Sequence, residues 1–326
     1  MRTKLLFTFL ILLVLLTGCT GTEENEKIKI TLGQQLTLSP ILSFIAEKNA
    51  YFEEEGLDLE IIDYPSGKVA FEGLRNGNLN IFNSQEVPAV FNSFTRNDFK
   101  VAATINIARS DKVIVARRNA GIDLASDLQG KRIATQIGSA VHFYLYLFMI
   151  KNGISSANIS FLPADKLVES LASGKIDAFS MREPYVSQAR QALGEENIVT
   201  FPDNGIYTAF DLIIVDSKLI DENPKAIQKF IRALLKAEDF VKKHPEEAKN
   251  IVMNRVGVSK EEIDAEWGKY NPSVGLPQSL LLAMEDEARW AVANKLVDGD
   301  RIPNYLDYFY FDALDAEKPD SVTVIR

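Results

Sequence analysis

The chain has 326 residues, 46% of them hydrophobic, and a formal net charge of −9 at pH 7. This length can bury two domain-sized cores, and the acidic balance disfavours partnership with nucleic acid or with an anionic membrane surface. One cysteine and two histidines exclude a structural disulfide and a metal site rich in His or Cys. A purely carboxylate site for a hard cation stays open, but no Asp-x-Asp-x-Asp-Gly type loop supports it, so we expect no metal and no cofactor.

The first predicted element is a secretory signal over residues 1–18. Arg2 and Lys4 precede the uncharged run Leu5–Leu16, and small residues follow it. A run of this length is too short to span a bilayer as a mature helix, whereas it suits the apolar part of a signal peptide. The sequence therefore predicts export from the cytoplasm.

The segment Leu16-Thr17-Gly18-Cys19 resembles the lipobox of bacterial and archaeal lipoproteins, in which the cysteine becomes the acylated first residue. This resemblance implies lipidation at Cys19, and an ordinary signal with an accidental cysteine is the alternative. Residues 19–26 carry three glutamates and, apart from the cysteine, no apolar side chain. They are predicted to form a flexible tether between the lipid and the folded part.

The remaining chain carries an internal repeat at an offset of 97 residues. Leu74–Glu86 matches Leu171–Glu183 with Leu, Gly, Phe and Glu in register, and Asn80 lies opposite Asp177. Each copy predicts the end of a helix with a glycine after it, followed by a short apolar strand that ends in polar residues.

Upstream of each copy, a strand leads through a glycine-containing loop into a helix. These strands are Lys27–Leu32 and Lys131–Thr135, and the helices begin at about Pro40 and Ala140. A repeat of this length predicts an α/β fold with two lobes, each a mostly parallel sheet flanked by helices. Chance similarity between two βαβ segments is the alternative.

The C-terminal third lacks the repeat and is predicted to be helical. Asn223-Pro224 begins a helix whose apolar residues recur on one face. Further amphipathic helices are predicted at about Ser259–Tyr270 and Pro277–Leu296.

In open α/β sheets, ligands bind beyond the carboxyl ends of the strands, where helix N-termini present unpaired amides. We therefore expect the facing strand ends of the two lobes to form one cleft. No residue is assigned a catalytic role. The candidate ligand-binding residues are Gln34, Ser39, Ser66, Gly67, Lys68, Gln85, Glu86, Gly138, Ser139, Ala140, His142, Arg182, Glu183, Tyr185 and Tyr207.

Several of these candidates also have a structural interpretation. Gly138-Ser139 places amides and a hydroxyl at a helix start, which predicts either an oxyanion site or a plain helix cap. Glu183 is expected to bind a ligand amine, with capping of a nearby helix as the alternative. Arg182 is expected to bind a carboxylate, sulfonate or phosphate, with a salt bridge to Glu86 as the alternative.

The other side chains have alternatives too. Lys68 adds a cation at a helix start, where a lysine is usually solvated. His142 either lies near a bound anion or packs among the aromatic residues of its helix. Tyr185 and Tyr207 are expected to line the pocket or to be half-buried structural residues.

A series of segments covers nearly the whole mature chain in a specific order. They are Ser39-Pro40, Ala50–Phe52 with Glu55–Asp58, Asp127–Arg132, Gly138–His142, Gly174–Ala178 with Glu183–Tyr185, Asn223-Pro224 and Ile302–Asp307. In this order they resemble the nitrate, sulfonate and taurine-type substrate-binding proteins of ABC importers, a group that includes thiamine-pyrimidine binders.

The resemblance implies a two-lobe, type II periplasmic-binding-protein fold. Lobe 1 would comprise residues 27–109 plus 212–326, and lobe 2 residues 110–211, with crossings near Ile107–Lys112 and Phe210–Leu212. It also implies a monomeric, lipid-anchored, extracytoplasmic protein that is not an enzyme. Such a protein delivers a small anionic or zwitterionic solute, such as a sulfonate, taurine or nitrate, to an ABC permease and its ATPase.

One departure from the family pattern bears on the ligand. Relatives commonly carry Trp directly before the Glu-Pro pair, where this chain has Arg182. The change removes an aromatic wall and favours an anionic or zwitterionic ligand. Asn80 stands where relatives commonly have an acid, which we expect to change only a structural hydrogen bond.

Three alternatives to a sulfonate or nitrate receptor stay open. The first is a receptor for a thiamine-type pyrimidine or related heterocycle. The second is an enzyme, because pyrimidine synthases share this fold, but those use iron with a cysteine-rich motif and this chain has only Cys19. The third is a ligand sensor that docks on a membrane receptor instead of a permease.

Overall fold

The computed structural model describes residues 27–326. The predicted signal over residues 1–18, the lipidation site Cys19 and the tether over residues 19–26 lie outside the described residues. Within residues 27–326, no helix combines the length and the apolar character that crossing a membrane requires.

The described strands form two separate sheets, which run in the order β11-β4-β10-β3-β1-β2 and β7-β6-β8-β5-β9. The strands are β1 (Ile28–Gln35), β2 (Leu57–Tyr64), β3 (Ile81–Gln85), β4 (Phe99–Arg109), β5 (Val113–Arg117), β6 (Arg132–Thr135), β7 (Asn158–Phe161), β8 (Ala178–Met181), β9 (Ile198–Pro202), β10 (Thr208–Asp216) and β11 (Tyr270–Gly275). Two sheets flanked by helices confirm the predicted α/β class.

The α-helices connect the parallel strands within each repeat and dominate the C-terminal third. They are α1 (Ile41–Lys48), α2 (Tyr51–Glu54), α3 (Gly67–Arg75), α4 (Glu86–Ser93), α5 (Ala140–Lys151), α6 (Ala164–Ala172), α7 (Tyr185–Leu193), α8 (Ser217–Glu222), α9 (Pro224–Lys243), α10 (Pro245–Val256), α11 (Lys260–Glu266), α12 (Gln278–Ala293) and α13 (Asp312–Glu317). In that third, β11 is the strand that joins the edge of the first sheet.

Each sheet is mixed. The three strands of each repeat pair in parallel, as β2-β1-β3 and β7-β6-β8. The strands next to the crossings, β4, β5, β9 and β10, pair antiparallel with their neighbours, because the chain enters and leaves each sheet at these points.

Two short crossings join the sheets. Residues 110–112 connect β4 to β5, and residues 203–207 connect β9 to β10. The sequence placed the second crossing at Phe210–Leu212, whereas these residues lie inside β10 and pair with β4. The apolar pattern of this segment predicted a strand but carried no information about which sheet the strand joins.

The repeat recurs as an equivalent hydrogen-bond pattern in the two sheets. Asn80 Oδ1 accepts a hydrogen bond from the backbone N–H of Thr31 at 2.9 Å. Asp177 Oδ2 accepts one from the backbone N–H of Arg132 at 3.0 Å. Both side chains therefore fix the first strand of a repeat against the third. The asparagine performs in lobe 1 the structural task that the aspartate performs in lobe 2.

The larger core fills the first lobe and continues into the second, where Phe148 belongs to it. In the first lobe, Phe52 and Phe230 are both fully buried, with stacked rings whose centroids are 4.8 Å apart. Phe230 belongs to α9, which packs on α1, α2 and α13 and so attaches the C-terminal third to the first sheet. A smaller core that includes Leu167 and Phe179 fills the remaining part of the second lobe.

Asp177 carries a charge that Asn80 lacks, and this difference is testable. The Arg132 guanidinium donates to both carboxylate oxygens, at 2.6 and 3.0 Å, and lowers the pKa of Asp177 to about 2. A lowered folded-state pKa stabilises the fold above the unfolded-state pKa, and this contribution disappears as the pH falls through about 2.

We expect Asp177→Asn to lower the free energy of unfolding at neutral pH by about 1–2 kcal/mol, with the loss shrinking to zero towards acid pH. Denaturant unfolding across pH measures this. Asp165→Asn, on an exposed aspartate of the same lobe, is the matched control and should change little. An equal loss at every pH would show that the charge of Asp177 contributes nothing.

Candidate functional site

One cavity lies between the two lobes, at the carboxyl ends of the parallel strands. It encloses about 380 Å³ of space free of protein atoms. Eight of its lining residues come from the first lobe and seven from the second. The lining residues are Gln35, Thr37, Pro65, Ser66, Gly67, Lys68, Gln85, Pro88, Gln136, Ser139, Ala140, Val141, Met181, Arg182 and Tyr185.

Arg182 reaches across the cavity from the end of β8. Its guanidinium donates to Gln85 Oε1 at 2.5 Å and to Gln35 Oε1 at 3.3 Å, and both glutamines belong to the other lobe. Gln85 and Arg182 are equivalent positions of the sequence repeat. The two repeats thus meet at their corresponding strand ends, as expected for two lobes that face each other.

Nitrogen donors at the centre of the cavity have no acceptor. Arg182 Nε, Gln35 Nε2 and Gln85 Nε2 are buried, and none of them has a hydrogen-bond partner within residues 27–326. A buried N–H group without an acceptor costs about 1–3 kcal/mol. The site is therefore a set of donors that a ligand with acceptor oxygens would satisfy.

Two helix N-termini add backbone donors to the same space. Ser66 precedes α3 and Ser139 precedes α5, and both serines line the cavity. The first N–H groups of a helix have no partner inside the helix and carry a partial positive charge. Gln136 ties the two helix starts together, since its Nε2 donates to Ser66 Oγ at 3.0 Å and its carbonyl accepts from Ser139 Oγ.

Glycines allow these helix starts to come close to other backbone and side-chain atoms. A Cβ on Gly67 would lie 2.8 Å from the Cα of Ser84, so only glycine fits between α3 and β3. Gly138 has a positive φ of 66°, and a Cβ there would lie 3.0 Å from the Phe91 ring of the other lobe. Both positions depend on the absence of a side chain.

The charge of the lining is positive although the chain is acidic. Lys68 and Arg182 line the cavity, and none of its fifteen lining residues is an aspartate or a glutamate. Lys68 is half-buried, and desolvation lowers its pKa. A cavity of this kind favours an anion over a cation or an amine.

The structure brings eight of the fifteen candidates from the sequence to this cavity: Ser66, Gly67, Lys68, Gln85, Ser139, Ala140, Arg182 and Tyr185. The other seven candidates lie elsewhere: Gln34, Ser39, Glu86, Gly138, His142, Glu183 and Tyr207.

Glu183 lies outside the cavity lining. Its expected role was to bind a ligand amine; its carboxylate accepts from the backbone N–H of Ser187 at 3.0 Å and lies 3.5 Å from Arg190. The alternative, capping of a nearby helix, describes this arrangement, since the acceptor faces the start of α7.

Gln34 and Ser39 also point away from the cavity. Gln34 Nε2 donates to Glu47 at 2.8 Å, and Ser39 Oγ lies 3.2 Å from Thr37 Oγ1. Successive residues of a strand face opposite sides of the sheet, so Gln35 reaches the cavity and Gln34 does not.

His142 packs between the lobes. It touches the rings of Trp290 and Phe161, and its Nδ1 lies 3.4 Å from the backbone N–H of Gly138, which donates to it. Burial lowers the pKa of His142 to about 4, so the ring is neutral at pH 7 and able to accept this hydrogen bond. It follows that His142 is a packing and capping residue in this structure.

Glu86 and Tyr207 belong to a buried cluster beside the second crossing. The Tyr207 hydroxyl donates to Glu86, and its oxygen lies 3.1 Å from Oε1 of Glu287 on α12. Glu86 also accepts from the backbone N–H of Phe210 at 2.8 Å. Lys112, from the first crossing, lies 4.9 Å from the centre of the Tyr207 ring. The cluster joins both crossings to lobe 1. Glu86 takes part in these contacts, whereas Arg182 donates to Gln85 and Gln35, so the two residues form no salt bridge within residues 27–326.

Sequence reasoning missed seven lining residues: Gln35, Thr37, Pro65, Pro88, Gln136, Val141 and Met181. A signal existed for two of them. Thr31 and Arg132 occupy equivalent positions of the repeat. Gln35 follows Thr31 by four residues and Gln136 follows Arg132 by four residues, so the two glutamines are equivalent as well. Gln35 is the last residue of β1 and Gln136 directly follows β6, where a ligand site is expected.

No group of three or more His, Cys, Asp or Glu side chains in residues 27–326 is arranged to hold a metal ion. The donor set of the cavity is dominated by N–H groups, which do not ligate cations.

Two α/β lobes around one cleft, joined by two crossings, define the periplasmic-binding-protein fold. The alkanesulfonate-binding protein SsuA from Xanthomonas axonopodis pv. citri, solved with MOPS bound, has this architecture. It superimposes with a TM-score of 0.76 at 17% identity, over 87% of this chain and 99% of that one. The periplasmic nitrate-binding protein NrtA from Synechocystis PCC 6803 gives a TM-score of 0.70 at 13% identity, over 90% of both chains.

The chain belongs to the NMT1/THI5-like family, whose model matches residues 40–248. It is also similar to a putative aliphatic sulfonates-binding protein from Bacillus subtilis (strain 168), with 25% identity over 306 residues, which are 90% of this chain and 91% of that protein. All three relatives are named as binding proteins and none as an enzyme, in agreement with the prediction from the sequence.

The buried pair of Glu86 and Glu287 makes stability depend on pH. Burial and the neighbouring Glu86 carboxylate raise the pKa of Glu287 well above its ordinary value. The folded state therefore holds a proton that the unfolded state releases. The stabilisation is complete at low pH and is lost as the pH rises towards the folded-state pKa.

We expect Glu287→Gln, which keeps the shape without the charge, to flatten this decline and to raise the free energy of unfolding by about 1 kcal/mol in mildly alkaline buffer. Denaturant unfolding of both proteins across pH is the measurement. Glu285→Gln, on the exposed side of the same helix, serves as the control. If the free energy of unfolding depended on pH in the same way in wild type and in Glu287→Gln, the raised pKa of Glu287 would be contradicted.

Proposed function

We propose that this protein is the solute-binding component of an ABC importer and that it binds a small organic anion, foremost a sulfonate, in the cavity between its lobes. The observation that carries the proposal is the donor set: buried, unpartnered nitrogen donors from both lobes in a cavity without an acidic side chain.

The donor chemistry supports an anion with several oxygens. Arg182 offers a planar guanidinium, which suits the oxygens of a sulfonate or carboxylate. Gln35 and Gln85 add an amide donor each, and α3 and α5 add backbone N–H groups from opposite sides. A tetrahedral sulfonate presents three oxygens in different directions, so donors from both lobes can reach it at once.

The lining also supports an organic group on the anion. Pro65, Pro88, Val141, Met181 and Tyr185 supply apolar surface to the same cavity. A short alkyl or aminoalkyl sulfonate would use this surface, whereas nitrate would leave it without contact. The relatives named for aliphatic sulfonates agree with this choice.

Contacts from both lobes support a transport role. A ligand held by donors of both lobes stabilises the closed form relative to the open form, and a membrane transporter can recognise that form. Shifting a mostly open protein to a mostly closed one takes about 5.5 kcal/mol of differential binding, which a ligand that touches one lobe alone does not provide.

The sequence supports the proposed location. The signal over residues 1–18 and the lipobox ending in Cys19 would place a monomer outside the cytoplasm, tethered to the membrane by its lipid. An ABC permease with its ATPase is the proposed partner.

Arg182 is the residue to test. We expect Arg182→Ala to weaken the binding of the preferred anion about 10- to 100-fold, because hydrogen bonds to a charged group contribute about 1.5–3 kcal/mol. Calorimetric titration after a thermal-shift screen of taurine, alkanesulfonates, nitrate, bicarbonate and pyrimidines measures it. Arg190→Ala is the matched control, since this arginine lies on α7 outside the cavity.

The outcomes separate the candidates. Saturable binding of a sulfonate that Arg182→Ala weakens and Arg190→Ala spares supports the proposal. Preference for a pyrimidine would indicate a receptor for a heterocycle. Conversion of a bound compound into a product would show that the protein is an enzyme and would contradict the proposal. Unchanged affinity in Arg182→Ala would make this arginine a structural residue.

A further inference from the structure

Asp211 is a fully buried carboxyl group that stands directly behind the donor set. It lies on β10, shortly after the second crossing, and is completely shielded from solvent. In the first sheet its backbone is paired with Gln85 on one side and with Asn106 on the other. Gln85 is the acceptor for Arg182, so Asp211 lies one strand away from the centre of the cavity.

The hydrogen bonds of Asp211 are incomplete in a specific way. Asn106 Nδ2 donates to Asp211 Oδ2 at 2.9 Å. The remaining two oxygens of this pair, Asp211 Oδ1 and Asn106 Oδ1, are buried and receive no hydrogen bond from any residue of 27–326. A carboxylate oxygen and an amide oxygen can only accept, so each of the two side chains has one acceptor without a donor. A proton on Asp211 Oδ1 supplies the missing donor, as in an acid–amide pair.

The surrounding charges leave Asp211 without a salt bridge. Lys112 is fully buried, but its ammonium pairs with Asp111 at 2.7 Å. The Tyr270 hydroxyl from β11 also faces this region and has no partner among the described residues. Arg182 is the other cation that acts on Asp211, and its guanidinium donates to Gln85 and Gln35 instead.

Burial raises the pKa of Asp211 to about 7, and Arg182 opposes this rise. The carboxyl group thus titrates near neutral pH, next to the arginine that we assign to the ligand. Lys112 lowers the pKa of Asp211 and Asp111 raises it. The two effects oppose each other, because these two residues form an ion pair of opposite charges.

We propose that Asp211 is the titratable counter-ion of the anion site, so that anion binding is coupled to proton uptake by this carboxyl group. This inference rests on the proposed function and extends it, because it adds a pH-dependent affinity and a residue that controls it. Asp211 does not touch the cavity, and it acts through Arg182 and Gln85 as a positioning residue.

The coupling follows from simple electrostatics. An ionised Asp211 neutralises part of the field of Arg182 and repels an incoming anion, whereas a protonated Asp211 leaves the full positive field to the ligand. The bound anion in turn favours the protonated form. The proton comes from solvent and resides on Asp211 Oδ1, and no other bond is made or broken. Affinity for the anion therefore falls as the pH rises through the titration of Asp211.

Calorimetric titration with methanesulfonate tests the inference. We expect wild-type affinity to be about fivefold lower near pH 8 than near pH 6, which corresponds to a change of about one unit in the pKa of Asp211 on binding. Asp211→Asn introduces a neutral side chain of the same shape. At both pH values, this variant should bind with the affinity that the wild type has near pH 6.

Two further measurements complete the design. Titration of the wild type in buffers with different ionisation enthalpies counts the protons taken up, and it needs no variant to fold. Asp216→Asn is the matched control on the same strand, where the aspartate caps α8 far from the arginine, and it should keep the wild-type pH dependence.

Loss of the pH dependence in Asp211→Asn alone, together with proton uptake in the wild type, supports the inference. Unchanged pH dependence in Asp211→Asn, or binding without proton uptake in the wild type, overturns this inference and leaves the proposed function intact. Absence of methanesulfonate binding at both pH values overturns the sulfonate assignment and this inference with it.

Discussion

The arrangement of the cleft depends on unpaired nitrogen donors held by two lobes. Arg182 reaches from the second lobe to Gln35 and Gln85 of the first, and the donors that remain have no acceptor within residues 27–326. A polar group that is buried without a partner is unfavourable, so a ligand that supplies acceptors would stabilise this arrangement. In the proposed function, the same feature would couple binding to closure, because one ligand would supply acceptors to donors of both lobes.

The repeat shows how one supersecondary unit serves two purposes. Asn80 and Asp177 hold equivalent strands together in the two lobes. The repeats differ five residues further along, where Gln85 of one repeat accepts a hydrogen bond from Arg182 of the other. The scaffold positions are alike, and the cleft positions have diverged into a donor and its acceptor.

Much of the architecture could be predicted from the sequence. The offset of the repeat predicted two α/β lobes, and proline and serine positions predicted where α3 and α5 begin. Individual side chains were harder. Gln34 and Gln35 differ by one residue, and only the register of β1 decides which of them reaches the cavity. Glu183 was assigned to a ligand, although a carboxylate before a helix is equally suited to cap it.

Asp211 could not be predicted at all, because its role depends on contacts between strands that are distant in sequence. Its partner Asn106 precedes it by 105 residues, and the arginine it influences belongs to the other lobe. Local patterns report which residues are apolar or turn-forming, but not which buried polar groups lack a partner after the chain has folded.

A crystal structure of the protein with methanesulfonate tests the central claim most directly. The account predicts that the sulfonate oxygens lie at ordinary hydrogen-bond distances, about 2.7–3.2 Å, from Arg182 and from donors of the first lobe at the same time. A sulfonate held by one lobe alone, or bound outside this cavity, would contradict it.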